Sequence, residues 1–282
     1  MGTILNEAEF QRHLNNTFIF DLEYIGVPNE LESCYIWEIG AVHLMTGNEF
    51  TVTIDPGFRP LPPPMSNDFV NVTDALLQSR NAVNYYEGWR RFSKWVHNYT
   101  DTTTILIAHN NFKSDKIMFE VESKRRKIPL PYHWWFFDSL LYCRKAIPKQ
   151  MSYTLHDLYY GLTGKAIEDN HSALPDARAL REILTRTNIY KMNGPIYPSY
   201  CTSLQVVKWL GPACERALFD CGICSLEQLV AGIVSGYSRS LLHHHVDLRS
   251  FVFKYITETC GIISGNSFSI SNSIIEKWLP SV

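Results

Sequence analysis

The segment Thr17-Phe-Ile-Phe-Asp-Leu-Glu23 constrains this chain more than any other. Its aromatic and β-branched residues specify a strand, and alternation along a strand turns Asp21 and Glu23 to the same face. Two carboxylates side by side repel one another unless a cation neutralises them. That face must then open either on water or on something positive. Acids that solvate a strand or block a sheet edge make the same pattern, so the rest of the chain has to decide between the two.

Beyond Glu23 the chain alternates between strand and helix signals. Residues 36–44 and 49–54 read as strands, with Thr46-Gly-Asn48 as the turn between them. Residues 55–67 are proline-rich and read as a loop. Residues 72–79 and 85–99 have helical spacing, and in the second Tyr85, Trp89, Phe92 and Val96 form one stripe. A short buried strand at 103–108, a helix at 114–127 and a strand at 134–137 come next. Helical segments are expected at 139–146, 154–162 and 174–190, the last with Pro175 in its first turn, where a missing donor costs nothing. This order predicts an α/β domain with a mixed central sheet flanked by helices. Residues 192–200, with Gly194, Pro195 and Pro198, read as a linker between a domain at 1–191 and a smaller, mainly helical region at 201–282. That region looks helical as far as Cys260 and is rich in Ser and Ile beyond it.

With 45% hydrophobic and 19% charged residues over 282 positions, the chain can bury a substantial core. A net charge of −2 argues against a protein that coats nucleic acid. It does not argue against a nuclease whose bound cations carry the positive charge. The seven cysteines are scattered, residues 1–14 are polar without the apolar core of a signal peptide, and no run is long enough to span a bilayer. The expectation is a reduced, intracellular protein with no membrane partner.

Two further acidic motifs stand at junctions between elements. His109-Asn110-Asn111-Phe112-Lys113-Ser114-Asp115 comes after a buried strand, and His171-Ser-Ala-Leu-Pro-Asp176 opens an amphipathic helix. Singly, Asp115 and Asp176 are ordinary acids of a helix first turn, favoured by the helix dipole. Together with Asp21 and Glu23 they form an all-oxygen set suited to Mg²⁺ or Mn²⁺. Two such ions about 4 Å apart activate water and stabilise a leaving oxygen in phosphodiester hydrolysis. A histidine titrating near neutrality can take the proton from the attacking water.

These segments resemble the DEDDh branch of the DnaQ-like exonuclease superfamily. The matching residues are Phe20-Asp-Leu-Glu23, Glu38-Ile-Gly-Ala-Val42, Val72-Thr-Asp-Ala-Leu76, Ala108-His-Asn110 with Asp115, Phe137-Asp-Ser-Leu140, and His171 with Ala173 and Asp176. The resemblance implies an RNase H-like fold and 3′–5′ exonuclease activity on DNA or RNA with two Mg²⁺ or Mn²⁺ ions. It implies Asp21, Glu23, Asp115 and Asp176 as metal ligands, His171 as general base, and Leu22, Tyr24, His109 and Asn110 as residues at the terminal nucleotide. His171 stands five positions before Asp176, as in the histidine branch. Ser152-Tyr-Thr-Leu155 and Leu162-Thr-Gly164 are similar to the three-prime repair exonucleases, whereas Tyr24-Ile25-Gly26 and Lys113-Ser114 depart from the usual pattern.

Tyr197-Pro198, Ser203-Leu-Gln205 and the helices expected after them resemble the exonuclease-like C-terminal region of promyelocytic leukaemia proteins, and Leu210-Gly211-Pro212-Ala213 through Ser225-Leu226-Glu227 resembles a degenerate helix–hairpin–helix. A phosphate grip and a plain packing module are both open, although equal numbers of cations and acids in the region favour packing. Lys124-Arg-Arg-Lys127 reads as a helix end or a phosphate contact, and Trp134 and Trp135 as core or base-stacking residues. Cys221-Gly-Ile-Cys224 lacks a second pair and suggests zinc only if Cys214 and Cys260 or His243 join it. Two classes of function remain: an active exonuclease with a single-stranded 3′ end as partner, or an inactive scaffold that keeps the fold and binds nucleic acid, a protein partner or a second copy of itself.

Overall fold

The computed structural model describes residues 3–26, 30–57, 72–100, 102–168, 172–241, 247–262 and 265–279. The chain divides into two units, Leu5–Gly194 and Pro195–Val282, the latter including Met1–Ile4. Element order begins β1 (Thr3–Leu5), α1 (Glu7–Arg12), β2 (Thr17–Ile25), β3 (Tyr35–His43) and β4 (Glu49–Asp55). It continues α2 (Asp74–Ser79), β5 (Val83–Asn84), α3 (Tyr85–His97), β6 (Thr104–Ala108), α4 (Asp115–Arg126) and β7 (Trp134–Asp138). Then come α5 (Ser139–Ala146), α6 (Leu155–Thr163), α7 (Ala173–Arg186) and β8 (Gly194–Pro198).

In the larger unit the strands run β7-β6-β2-β3-β4-β5. β6 lies parallel to β2 and to β7, β3 is antiparallel to β2 and β4, and β5 is parallel to β4, which makes the sheet mixed. β2 therefore occupies the middle. Its first residues, Phe18, Ile19 and Phe20, are fully buried, and the strand opens only as it reaches Asp21 and Glu23.

An aromatic layer fixes this platform. The α3 stripe buries Tyr85, Trp89, Phe92 and Val96, as its spacing predicts. Phe20 stacks on Phe119 at 5.3 Å, and Trp89 packs against Trp134 at 5.4 Å. Trp134 is thus a core residue and not a base-stacking one. Each such ring contributes roughly 1.5–3 kcal/mol through burial. The basic end of α4 is likewise occupied: Arg125 and Arg126 both pair with the buried Glu122, and Arg125 lies over the Tyr35 ring at 3.9 Å.

One close approach sets the height of α7 over the sheet. Gly40 on β3 lies opposite Asp21, and a Cβ there would meet the Ala173 carbonyl carbon and the Leu174 nitrogen at 2.3 Å. Only glycine lets the backbone of α7 come so near.

The smaller unit continues with α8 (Pro212–Asp220), α9 (Leu226–Leu241), α10 (Leu248–Lys254), a π-helical turn (Tyr255–Thr259) and α11 (Ser267–Trp278). It has a core of its own, centred on Leu204, Leu218, Leu229, Ile233, Val252, Ile256, Ile270 and Ile274. Buried Glu215 accepts from the Tyr197 hydroxyl and from Gln205 Nε2, so this acid is satisfied. Residues 192–200, read from the sequence as a linker, include β8. The Ser- and Ile-rich end is a helix, α11, whose Ser267 and Ser271 hydroxyls donate to the carbonyls of Ile262 and Ser267 and can therefore lie buried beside Ile270 and Ile274. The proline-rich stretch, apart from residues 55–57, and His243-His-His245 lie outside the described residues. No helix among the described residues is long and apolar enough to cross a membrane.

Gly40→Ala should lower the unfolding free energy by about 1–3 kcal/mol, because two backbones must separate to admit one methyl. Chemical denaturation of both forms measures it, and an unchanged midpoint would show that α7 can lift without cost.

Candidate active site

Asp21 and Glu23 leave β2 on one face, and Asp176 comes down to them from the first turn of α7. Carboxylate oxygens of all three lie within 4.8 Å of one another, the one such group among the described residues. Asp115 joins from the first residue of α4, where its Oδ1 accepts from the backbone N–H of Leu22 at 3.1 Å. The nitrogen between the two β2 acids is therefore bonded to the fourth acid. All four acids named from the sequence are thus brought to one place. His171 lies outside the described residues, although the neighbouring Ser172 is described and buried.

Each approach is secured by backbone hydrogen bonds. Asp138, at the end of β7, accepts from Phe112 N at 3.2 Å and Leu140 N at 2.9 Å. Asn111 donates to the Phe137 carbonyl at 2.8 Å and accepts from Lys116 N at 3.1 Å. These bonds pin the loop that delivers Asp115. Asn110 holds a left-handed conformation (φ 58°), which asparagine tolerates better than most residues. His109 has both ring nitrogens engaged, with Ser139 Oγ at 3.0 Å and the Tyr153 carbonyl at 2.8 Å. Burial lowers its pKa, against the opposing effect of the Tyr153 carbonyl. Leu22 is buried, and the Tyr24 hydroxyl lies 3.2 Å from Ser114 Oγ, tying the end of β2 to the start of α4.

Behind Glu23 stands a fifth acid for which the motifs name no role. Glu38 pairs with Glu23 across the β2–β3 ladder and is almost wholly buried. Its carboxylate accepts from Ser172 Oγ and Ala173 N at 3.3 Å and forms an ion pair with Arg80 at 3.3 Å. It caps the helix that carries Asp176. The strand pattern alone could have flagged it, since Glu38 is an acid at a position flanked by Trp37 and Ile39. His156, on α6, is a second residue that the motifs do not name: its Nε2 lies 3.9 Å from Asp176 Oδ1.

The electrostatics come from this crowding. Burial, then Asp115, then Glu23 and Asp176 push the Asp21 carboxyl well above its ordinary range. Glu23 is pushed up to about 8 by burial, then by Asp176, Glu38 and Asp115, with Arg80 opposing. Asp115 is raised to about 7, mainly by burial, against hydrogen bonds from the backbone including Leu22. A cluster that resists ionisation in this way calls for a cation. Its donors are oxygens alone, which fits Mg²⁺ or Mn²⁺. The cysteines form no metal-holding group among the described residues.

The family model described as Exonuclease (RNase_T) matches residues 18–184. No curated protein matches the sequence. Among solved structures, one similar chain is a 3′-exonuclease described in 3′-end-specific recognition of histone mRNA stem-loop. It is 13% identical, with a TM-score of 0.44 over 60% of this chain and 62% of that one, less than two thirds of its length. Another is the nuclease domain of 3′hExo, a DEDDh family member, bound to rAMP: 13% identical, with a TM-score of 0.46 over 63% of this chain and 95% of that one.

The raised carboxyls carry a consequence for stability. Glu23 keeps its proton up to about pH 8 in the folded chain and only to the ordinary range near 4.5 once unfolded. Between those values the folded chain binds more protons, so stability falls as pH rises. In chelator, Tm should drop from pH 5 to pH 8, and Glu23→Gln should flatten that slope. Adding Mg²⁺ or Mn²⁺ should raise Tm more at pH 8 than at pH 5. Parallel pH profiles for wild type and Glu23→Gln would show that Glu23 does not sit under this repulsion.

Proposed function

The chain belongs to the exonuclease family whose model matches it, and on that premise we propose that it removes nucleotides stepwise from free 3′ ends of DNA or RNA in a metal-dependent reaction. The observation that carries this reading is the convergence of Asp21, Glu23 and Asp176 within 4.8 Å, with Asp115 bonded to the backbone between the first two. A catalytically inactive scaffold has no reason to keep so costly an arrangement.

Asp21, Glu23, Asp115 and Asp176 are the residues that would hold two Mg²⁺ or Mn²⁺ ions. When bound, such ions supply Lewis acidity and make water more acidic. The protein's own part is to place the scissile phosphate against this face and to move one proton. His171, preceding α7, accepts that proton from the attacking water. Ser172 and Ala173, at the start of α7, are anchored on Glu38. Leu22, Tyr24, His109 and Asn110 border the terminal nucleotide. Of these, His109 shapes the pocket by holding its loop, because Ser139 and Tyr153 already occupy its ring nitrogens. A free 3′ hydroxyl suits a pocket walled by carboxylates, whereas a 3′-phosphate adds like charge.

Single strands labelled at the 5′ end, one of DNA and one of RNA, test this. Chelator should abolish stepwise shortening, and Mg²⁺ or Mn²⁺ should restore it. His171→Ala should lower turnover by roughly 10²–10⁴-fold, the range for a lost general base, while metal still binds. Asp21→Asn should remove metal affinity and activity together. Cleavage of a closed circle, or full activity in excess chelator, would overturn the proposal, and absence of shortening on both strands would favour the scaffold.

A further inference from the structure

We propose that His156 is a positioning residue for the metal site, holding the Asp176 carboxylate through its Nε2–H; this rests on the metal-dependent reading above. α6 starts at Leu155, capped by Thr154, whose hydroxyl oxygen accepts from the Asp157 N–H. That start places His156 in the first turn, and its Nε2 faces Asp176 Oδ1 at 3.9 Å. Although part of the ring is exposed, the Nε2 atom itself is buried and has no hydrogen-bond partner. Buried polar groups are nearly always hydrogen-bonded, so a nitrogen in that state points to a partner it does not yet reach.

His156 stands one step outside the candidate ligand group. Asp21, Glu23 and Asp176 form the group whose donor atoms lie mutually within 4.8 Å, and His156 is not in it. Its nitrogen reaches the cluster through one oxygen of one carboxylate. The separation of 3.9 Å is beyond a hydrogen bond, whose charge-assisted form spans about 2.7–2.9 Å, so a shift of about 1 Å closes it. With ions neutralising the repulsion between the acids, the Asp176 carboxylate would be free to turn Oδ1 towards the buried Nε2. Ligating carboxylates are commonly fixed by such outer partners, and losing one typically weakens metal binding by about 10–100-fold.

α6 and α7 thus supply one residue each to a single device. Asp176 on α7 binds the ion, and His156 on α6 fixes which way its carboxylate points. No signal in the sequence links them, since His156 precedes Asp176 by most of a helix and a loop.

The test is calorimetric titration of Mn²⁺ into the full chain and its variants. His156→Ala should weaken Mn²⁺ binding by about 10–100-fold and raise the Mn²⁺ concentration for half-maximal hydrolysis by the same factor. Its Tm in chelator should stay at the wild-type value, which separates a lost metal contact from a lost fold. His156→Gln keeps an N–H donor on a side chain of similar reach and should restore most of the affinity. Asp21→Asn serves as the control for the underlying reading. If that variant binds Mn²⁺ as wild type does, the metal site itself is wrong. If Asp21→Asn loses Mn²⁺ while His156→Ala binds it normally, only the role of His156 is overturned. Equal weakening in His156→Ala and His156→Gln also overturns it, because the donor would then not be what matters.

Discussion

The structure is organised around an unfavourable interaction: the mutual repulsion of carboxylates gathered at the open end of the central strand. Asp21 and Glu23 cannot avoid each other, since strand alternation fixes them on one face. Asp176 and Asp115 are then brought in by helices whose positions are set elsewhere. The α7 backbone is seated on Gly40, and α4 is tied to Leu22 N through Asp115 itself. A rigid support is needed to hold like charges together, and the fully buried Phe20, Phe119, Trp134 and Phe136 beneath the site supply it. Loosening that layer would let the acids relax apart, which is the response the fold prevents.

The smaller unit obeys a different logic. Its buried apolar side chains come from every one of its helices, and its buried acid, Glu215, is surrounded by donors and not by other acids. α8 and α9, where the helix–hairpin–helix resemblance lies, put Leu218, Leu226 and Leu229 into that core. Gly222 makes the turn between them with φ +79°, the left-handed conformation that glycine adopts without strain. These observations favour a packing module over a phosphate grip, in keeping with the even balance of charges in the region.

The sequence is most informative where a local rule is decisive. The apolar run into Asp21 and Glu23, the α3 stripe and the first-turn acid of α7 each come from spacing alone, and the observed strands and helices fall close to the bounds that spacing predicts. It is least informative where a residue takes its meaning from a distant partner. β1 and β5 are too short to show a period, and β8 is disguised by Gly194, Pro195 and Pro198. α11 is hidden by serines whose hydroxyls are satisfied only once the helix exists. His156 is inconspicuous in sequence, because its role depends on the packing of α6 against α7, whereas the strand pattern flags Glu38 as an acid and leaves its role to register across β2–β3.

Buried acids in this protein fall into two kinds, and the difference separates architecture from chemistry. Asp138 and Glu38 are each met by backbone N–H donors, and Glu38 also by Arg80, so their charge is absorbed into the caps of α5 and α7. A carboxylate satisfied in this way stabilises a helix start and leaves nothing over for a ligand. Asp21, Glu23 and Asp176 face one another instead. Asp115 stands between the two kinds: one oxygen accepts from Leu22 N, while its charge still bears on Asp21. It is therefore the joint through which the capped, structural acids hold the mutually repelling ones in place. Where each carboxylate's hydrogen bonds go thus separates the structural acids from those of the candidate metal face.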